Sequence, residues 1–298
     1  MLLSLLLAAL FITGCAGTPT EPAPPQAATP KAPPHIPFDV ISPGGPGPFP
    51  AVVILHDCSG LGPASSGAPA RWAKELVGHG FVVIVPDSFT TRGFADGVCT
   101  NPSPARADVA PARRVRDAYA ALAHLRTLPN VDGARIGLMG GSHGGAATLA
   151  AMATPPGAGS TGDAATSRHT GFAAAVALYP GCAMRLGSWR ADGSGTYRPL
   201  APLLILTGEL DDWTPAEPCR KLTESAQHAG YPVSIKIYPG AHHAFDNARP
   251  LRYVATRVNA NAPGGRGATT GGNAAAWADS IREVIAFFDR HLGKTGQE

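Results

Sequence analysis

The chain has 298 residues, with 24 Lys and Arg against 21 Asp and Glu, a formal net charge of +3 and 44% hydrophobic residues. So small a charge, with no basic cluster beyond Arg113, Arg114 and Arg116 on what reads as the solvated face of a helix, argues against nucleic acid as a partner. The length beyond the N-terminal segment, about 260 residues, fits one large α/β domain over residues 38–298.

In chain order, the first feature is an uncharged apolar stretch from Met1 to Gly14, too short to span a bilayer comfortably as a mature helix. Its close, Ile12-Thr13-Gly14-Cys15, resembles a bacterial lipoprotein leader, in which cleavage before Cys15 leaves that thiol to be diacylated. An ordinary cleaved secretory signal is the alternative. Two acyl chains would give a stable membrane anchor. Ala16 after the cysteine resembles lipoproteins sent to the outer membrane, which would place the protein in the cell envelope facing the periplasm. Residues 15–37 then form a lipidated Cys and a Pro-rich tether, a semi-rigid polyproline spacer.

Strand-like apolar runs at 51–55, 81–85, 135–139, 173–178, 202–207 and 233–238 alternate with helical stretches near 68–78, 105–127, 143–153, 216–229 and 275–292. Continuous apolar strands alternating with helices mean an α/β fold, a mostly parallel central sheet with helices on both faces. The stretches Gly157 to Gly171 and Asn259 to Gly272 read as Gly-rich loops, the second able to border an active site.

The turns after these runs hold the chemistry. Gly140-Gly141-Ser142-His143-Gly144-Gly145 lies between an apolar run and a helix-prone one, so Ser142 sits at the apex of a strand–turn–helix. With 36 glycines in the chain the G-x-S-x-G spacing alone is weak, and the context carries the assignment. A serine nucleophile needs a base, and the base an orienting acid. Two aspartates, Asp211 and Asp212, follow the run at 202–207, and two histidines, His242 and His243, follow the run at 233–238. The order Ser, Asp, His, each just past a strand, is that of the α/β-hydrolase triad. In that architecture the oxyanion hole joins an N–H after the first central strand to the N–H after the nucleophile, which by position are those of Cys58 and His143.

The segments "VVILHDCSGL", "GELDDWTP" and "YPGAHHAF" resemble the dienelactone hydrolase family of α/β-hydrolases over about residues 36–295. The resemblance implies that Asp211 is the acid and His243 the base, with Asp212 and His242 their neighbours. It also points to Arg92 as a residue near the position of an arginine that contacts substrate carboxylate in that family; a salt bridge to Asp87 or Asp96 is the alternative. The family's founding enzymes use a cysteine nucleophile where this chain has Ser142, so what is implied is a serine hydrolase of carboxylic esters or lactones. Trp213 and Phe245 flank acid and base, as pocket walls or as packing inside the turns.

Setting Cys15 aside, Cys58, Cys99, Cys182 and Cys219 allow three connectivities, and adjacency of strand ends favours 58–99 with 182–219. No cysteine spacing suits a metal, and no cofactor is implied. The expected partner is a small-molecule ester or lactone, with the membrane reached through the N-terminal anchor; the sequence assigns no oligomeric state. A peptidase of the same fold and a non-catalytic envelope binding protein on a hydrolase scaffold are the rival functions.

Overall fold

The computed structural model describes residues 37–153 and 171–293. The apolar leader, Cys15, the tether as far as residue 36 and nearly all of the Gly157–Gly171 stretch lie outside the described residues.

Seven strands form one sheet: β1 (Phe38–Ile41), β2 (Phe49–Leu55), β3 (Val82–Pro86), β4 (Val131–Gly141), β5 (Ala174–Leu178), β6 (Leu203–Gly208) and β7 (Val233–Tyr238). Their spatial order is β1-β3-β2-β4-β5-β6-β7, with β1 antiparallel to β3 and every other pair parallel. Among the described residues five helices cover it: α1 (Ala68–Gly78), α2 (Pro111–Leu125), α3 (His143–Met152), α4 (Ala216–His228) and α5 (Ala274–Leu292).

The apolar runs are unbroken because both faces are covered, and successive residues feed opposite cores. Ala51, Val53 and Leu55 of β2 join the core under α2, α3 and α4, whereas Val52 and Ile54 join the one under α1 and α5. Leu203 and Ile205 of β6 divide from Leu204 and Leu206 in the same way. This is the mostly parallel, doubly covered sheet of the α/β-hydrolase fold, and all six strand-like runs lie in it.

Three elements differ from expectation. The helix expected over 105–127 is a 3-10 turn at Pro104–Val109 followed by α2. Pro111 sits in the first turn of α2, where its missing N–H costs nothing, while its ring keeps Ala110 extended at φ −55°, ψ 151°. β1 escapes the apolar pattern because it is a short edge strand whose residues alternate between half-buried and exposed. The supposed loop over 259–272 contains β9 (Arg266–Thr270), which pairs antiparallel with β8 (Arg252–Val258) in a separate hairpin. β8 is largely exposed, so no buried face imposes a hydrophobic alternation on it.

Candidate active site

Ser142 lies between the end of β4 and the start of α3 at φ 53°, ψ −116°, a conformation few non-glycine residues adopt. The turn is fixed from both sides: Ser142 N–H donates to the Leu178 carbonyl at 2.9 Å, and Ala146 N–H donates to the Ser142 carbonyl at 2.8 Å. Glycine is required where the strand and helix meet. A Cβ on Gly144 would fall 2.0 Å from the Leu55 carbonyl oxygen, and one on Gly140 would fall 2.4 Å from the Gly144 carbonyl oxygen.

The turns after β6 and β7 bring an aspartate and a histidine to this serine. His243 Nε2 is 2.8 Å from Ser142 Oγ, and His243 Nδ1 is 2.8 Å from Asp211 Oδ2. Asp211 Oδ1 accepts the N–H groups of Trp213 at 2.9 Å and Thr214 at 2.8 Å, so the carboxylate cannot swing away from the imidazole. All three side chains belong to buried residues. The imidazole is held edge-on by Tyr179, centroids 4.8 Å apart, and tilted against Trp213 at 4.7 Å. Ser142, Asp211 and His243 are therefore brought together. Asp212 and His242 are not: Asp212 turns to the hairpin, accepting Thr269 N–H at 2.8 Å and Thr269 Oγ–H at 2.8 Å.

Cys58 and His143 line a cleft of about 640 Å³ together with Ser142. Among the described residues, neither of their backbone N–H groups donates to a protein acceptor. That of His143 opens α3, where the first N–H groups have no intrahelical partner and the helix dipole favours negative charge. The His143 ring has a separate role. Its Nδ1 accepts from Arg114 Nη1 at 2.9 Å, which fixes the proton on Nε2. Lost hydration and the Arg114 charge hold this imidazole well below the usual histidine range. The same two causes hold the fully buried His56 neutral; its Nδ1 lies 2.8 Å from the Asp57 carbonyl and its Nε2 accepts Ser88 N–H at 3.2 Å, a structural role. Burial brings the Arg114 guanidinium itself down to about 10.

The cleft wall is mostly apolar, with Met184, Pro111, Pro218 and Val258 among its residues, and Trp213 is part of it as expected. Phe245 is not: it is fully buried behind the base, packed on Tyr179 and Tyr238. Nor does Arg92 line the cleft. Its guanidinium makes two 2.7 Å bonds to Asp117, a buried carboxylate, so its donors are spent inside the protein, on a partner other than Asp87 or Asp96. Asp117 lies 25 residues downstream on α2, with no local spacing to reveal the pair.

Sequence reasoning missed Tyr179 and Asp246. Tyr179 O–H and Trp72 Nε1–H both donate to the buried Asp246 carboxylate at 2.8 Å, and this network backs the ring that holds His243. Desolvation raises the Asp246 carboxyl above its usual range. The "YP" after β5 marks a strand end but carries no signal for such a network.

Both disulfides form as the strand ends suggest: Cys58–Cys99 and Cys182–Cys219, each with Cα atoms 5.0 Å apart, and all but Cys219 line the cleft. Asp57, Cys58 and Cys99 converge within metal-ligand distance of one another, but both sulfurs are consumed in the disulfide and supply no thiolate.

No curated protein sequence matches the chain. Among solved structures, a Klebsiella pneumoniae protein described as a dienelactone hydrolase aligns with TM-score 0.58 and 18% identity, covering 86% of this chain and 93% of that one. Esterase 2 of Thermogutta terrifontis, phosphorylated by paraoxon, aligns with TM-score 0.59 and 18% identity over 87% of this chain and 90% of that one. The same esterase with propionate bound gives TM-score 0.57 and 18% identity over 88% and 91%. At these identities the solved structures establish the α/β-hydrolase fold. The model of the dienelactone hydrolase family matches residues 38–292, nearly the whole described chain, and the chain belongs to that family.

Proposed function

We propose that the protein is a serine hydrolase of carboxylic esters or lactones, working through Ser142, His243 and Asp211 and an acyl-enzyme. The observation that carries this reading is the pair of 2.8 Å contacts linking Ser142 Oγ to His243 Nε2 and His243 Nδ1 to Asp211, on a strained turn facing an apolar cleft. His243 takes the proton as Ser142 Oγ attacks the carbonyl carbon. Asp211 holds the imidazole in the tautomer with its free lone pair toward the serine and stabilises the imidazolium. The N–H groups of Cys58 and His143 receive the charge that develops on the carbonyl oxygen. When the tetrahedral adduct collapses, His243 gives its proton to the departing alkoxide. A water, deprotonated by His243, then attacks the acyl carbon, and Ser142 leaves with the proton returned.

Propionate and paraoxon in the Thermogutta esterase structures support an acyl-binding cleft and a serine open to organophosphates here. The test is a p-nitrophenyl ester series from acetate to decanoate, assayed with the leaderless protein and with Ser142→Ala. Turnover is expected to fall by about 10⁴-fold or more in the variant, and paraoxon should modify Ser142 stoichiometrically. No ester turned over, with no labelling of Ser142, would overturn the proposal.

The N-terminal sequence adds a location. Lipidation at Cys15 would tether the enzyme in the envelope, most simply as an outer-membrane lipoprotein facing the periplasm. Metabolic incorporation of a clickable palmitate analogue, lost in Cys15→Ala, checks it; a soluble, unlabelled product would favour a plain secretory signal.

A further inference from the structure

Ser142 faces two spaces. The large cleft is lined by Ser142 and His143 but not by His243, and on the ester-hydrolase reading it suits the acyl group. Adjoining it, and sharing Ser142, Cys58, Cys99 and Trp213 with it, is a small recess that His243, Asp57 and Arg257 also line. The departing alkoxide must receive its proton from His243 Nε2, so the alcohol part of a substrate lies on this side. Past Ser59, Ser66 and Asn247 the recess continues to Arg249 and Arg252.

Its charges are unbalanced. Among the described residues, Arg249, Arg252 and Arg257 take part in no ion pair. The Arg257 guanidinium lies over the Trp213 ring at 5.1 Å, and its Nε is buried with no hydrogen-bond partner. Asp57 is the one acid lining the recess, and both of its carboxylate oxygens already accept from Ser59 or Ser66. Asn247 Oδ1 accepts Arg249 N–H at 2.8 Å, which leaves the Asn247 NH₂ as a further donor. β8 carries Arg252 and Arg257 five positions apart, which a regular strand would send to opposite faces. Its pairing with β9 slips between Val254 and Val258, and both arginines reach one recess. Desolvation, then the neighbouring Arg252 and Arg249 charges, bring the Arg257 guanidinium down, against the pull of Asp57.

Resting on the ester-hydrolase reading, we infer that this recess seats a phosphate group on the alcohol part of the substrate, which makes acylated phosphoalcohols the preferred substrate class. Three guanidinium groups against one carboxylate leave two positive charges uncompensated, which matches a dianion. Guanidinium forks and an amide donor match its several terminal oxygens.

The experiment compares 1-butyrylglycerol 3-phosphate with 1-butyrylglycerol at low ionic strength. The unsubstituted enzyme should prefer the phosphorylated ester about tenfold or more in kcat/KM. The Arg252→Met/Arg257→Met variant should bring the ratio to about one, and 0.5 M NaCl should shrink it in the unsubstituted enzyme. A ratio near one without substitution, a preference kept in the variant, or a preference indifferent to salt each overturns the inference. Should the double variant not fold, Arg252→Met and the salt series decide it. Calorimetry of glycerol 3-phosphate on the Ser142→Ala protein separates this inference from the esterase reading. Millimolar or tighter binding, weakened about tenfold in the arginine variant, upholds the recess even if neither ester is turned over, and no binding overturns it.

Discussion

Asp211 and Asp212 are adjacent in sequence and do different work. Asp211 is buried, receives two backbone N–H groups and faces His243 Nδ1; Asp212 is spent on Thr269 of the hairpin. Asp211→Asn keeps the shape but favours the wrong imidazole tautomer, so kcat for a p-nitrophenyl ester should fall about 10⁴-fold. Asp212→Asn should cost less than about tenfold, through a looser hairpin. Equal losses would mean that the acid has been misassigned. Here the sequence was ambiguous on spacing alone, since either aspartate follows the strand closely enough, and family resemblance picked the one that the backbone then presents. Ser142 needed no such help, because the strand, glycines and helix around it leave one geometry. Arg92 shows the limit: a guanidinium near the right position looks free until a carboxylate 25 residues away is brought to it.

Elements were legible where burial imposes a pattern and illegible where it does not. The central strands are buried on both faces and read as apolar runs; β1 and β8 have exposed positions and lack that mark. Yet the hairpin is not a peripheral ornament. Cys58 O accepts Val98 N–H at 2.7 Å, Cys99 O accepts Val258 N–H at 2.9 Å, and Val258 O accepts Trp213 Nε1–H at 2.9 Å. The Cys58–Cys99 bond thus sits in a chain from the Cys58 loop through the hairpin to the Asp211 turn. Closing a loop between cysteines 41 positions apart, it is worth about 4 kcal/mol in chain-entropy terms. Replacing both cysteines by alanine should lower the melting temperature and, by freeing the Cys58 N–H from its position, reduce kcat ten- to a hundredfold with KM little changed. A stability loss with kcat intact would show the bond to be a staple alone.

Over the whole molecule, stability should depend on pH through the histidines that flank the elbow. His56 and His143 sit beside the buried Arg114, and both are held below their unfolded value of 6.5 by lost hydration and by that charge. Below pH 6.5 the unfolded chain takes up two protons that the folded one refuses. The stability these groups contribute is therefore complete above 6.5 and is lost as pH falls. The slope reaches up to about 2.7 kcal/mol per pH unit for the two together, at about 1.4 for each proton. Asp246 works in the opposite sense, because burial raises its carboxyl and the stability tied to its neutral form is lost as pH rises through its folded value. Urea unfolding between pH 7.5 and 5.0 measures the sum, with a falling midpoint expected mainly below 6.5. The histidine share is isolated by substitution: His56→Gln or His143→Gln should remove about half of the slope, and an unchanged slope in both would show that neither ring is kept neutral by the fold.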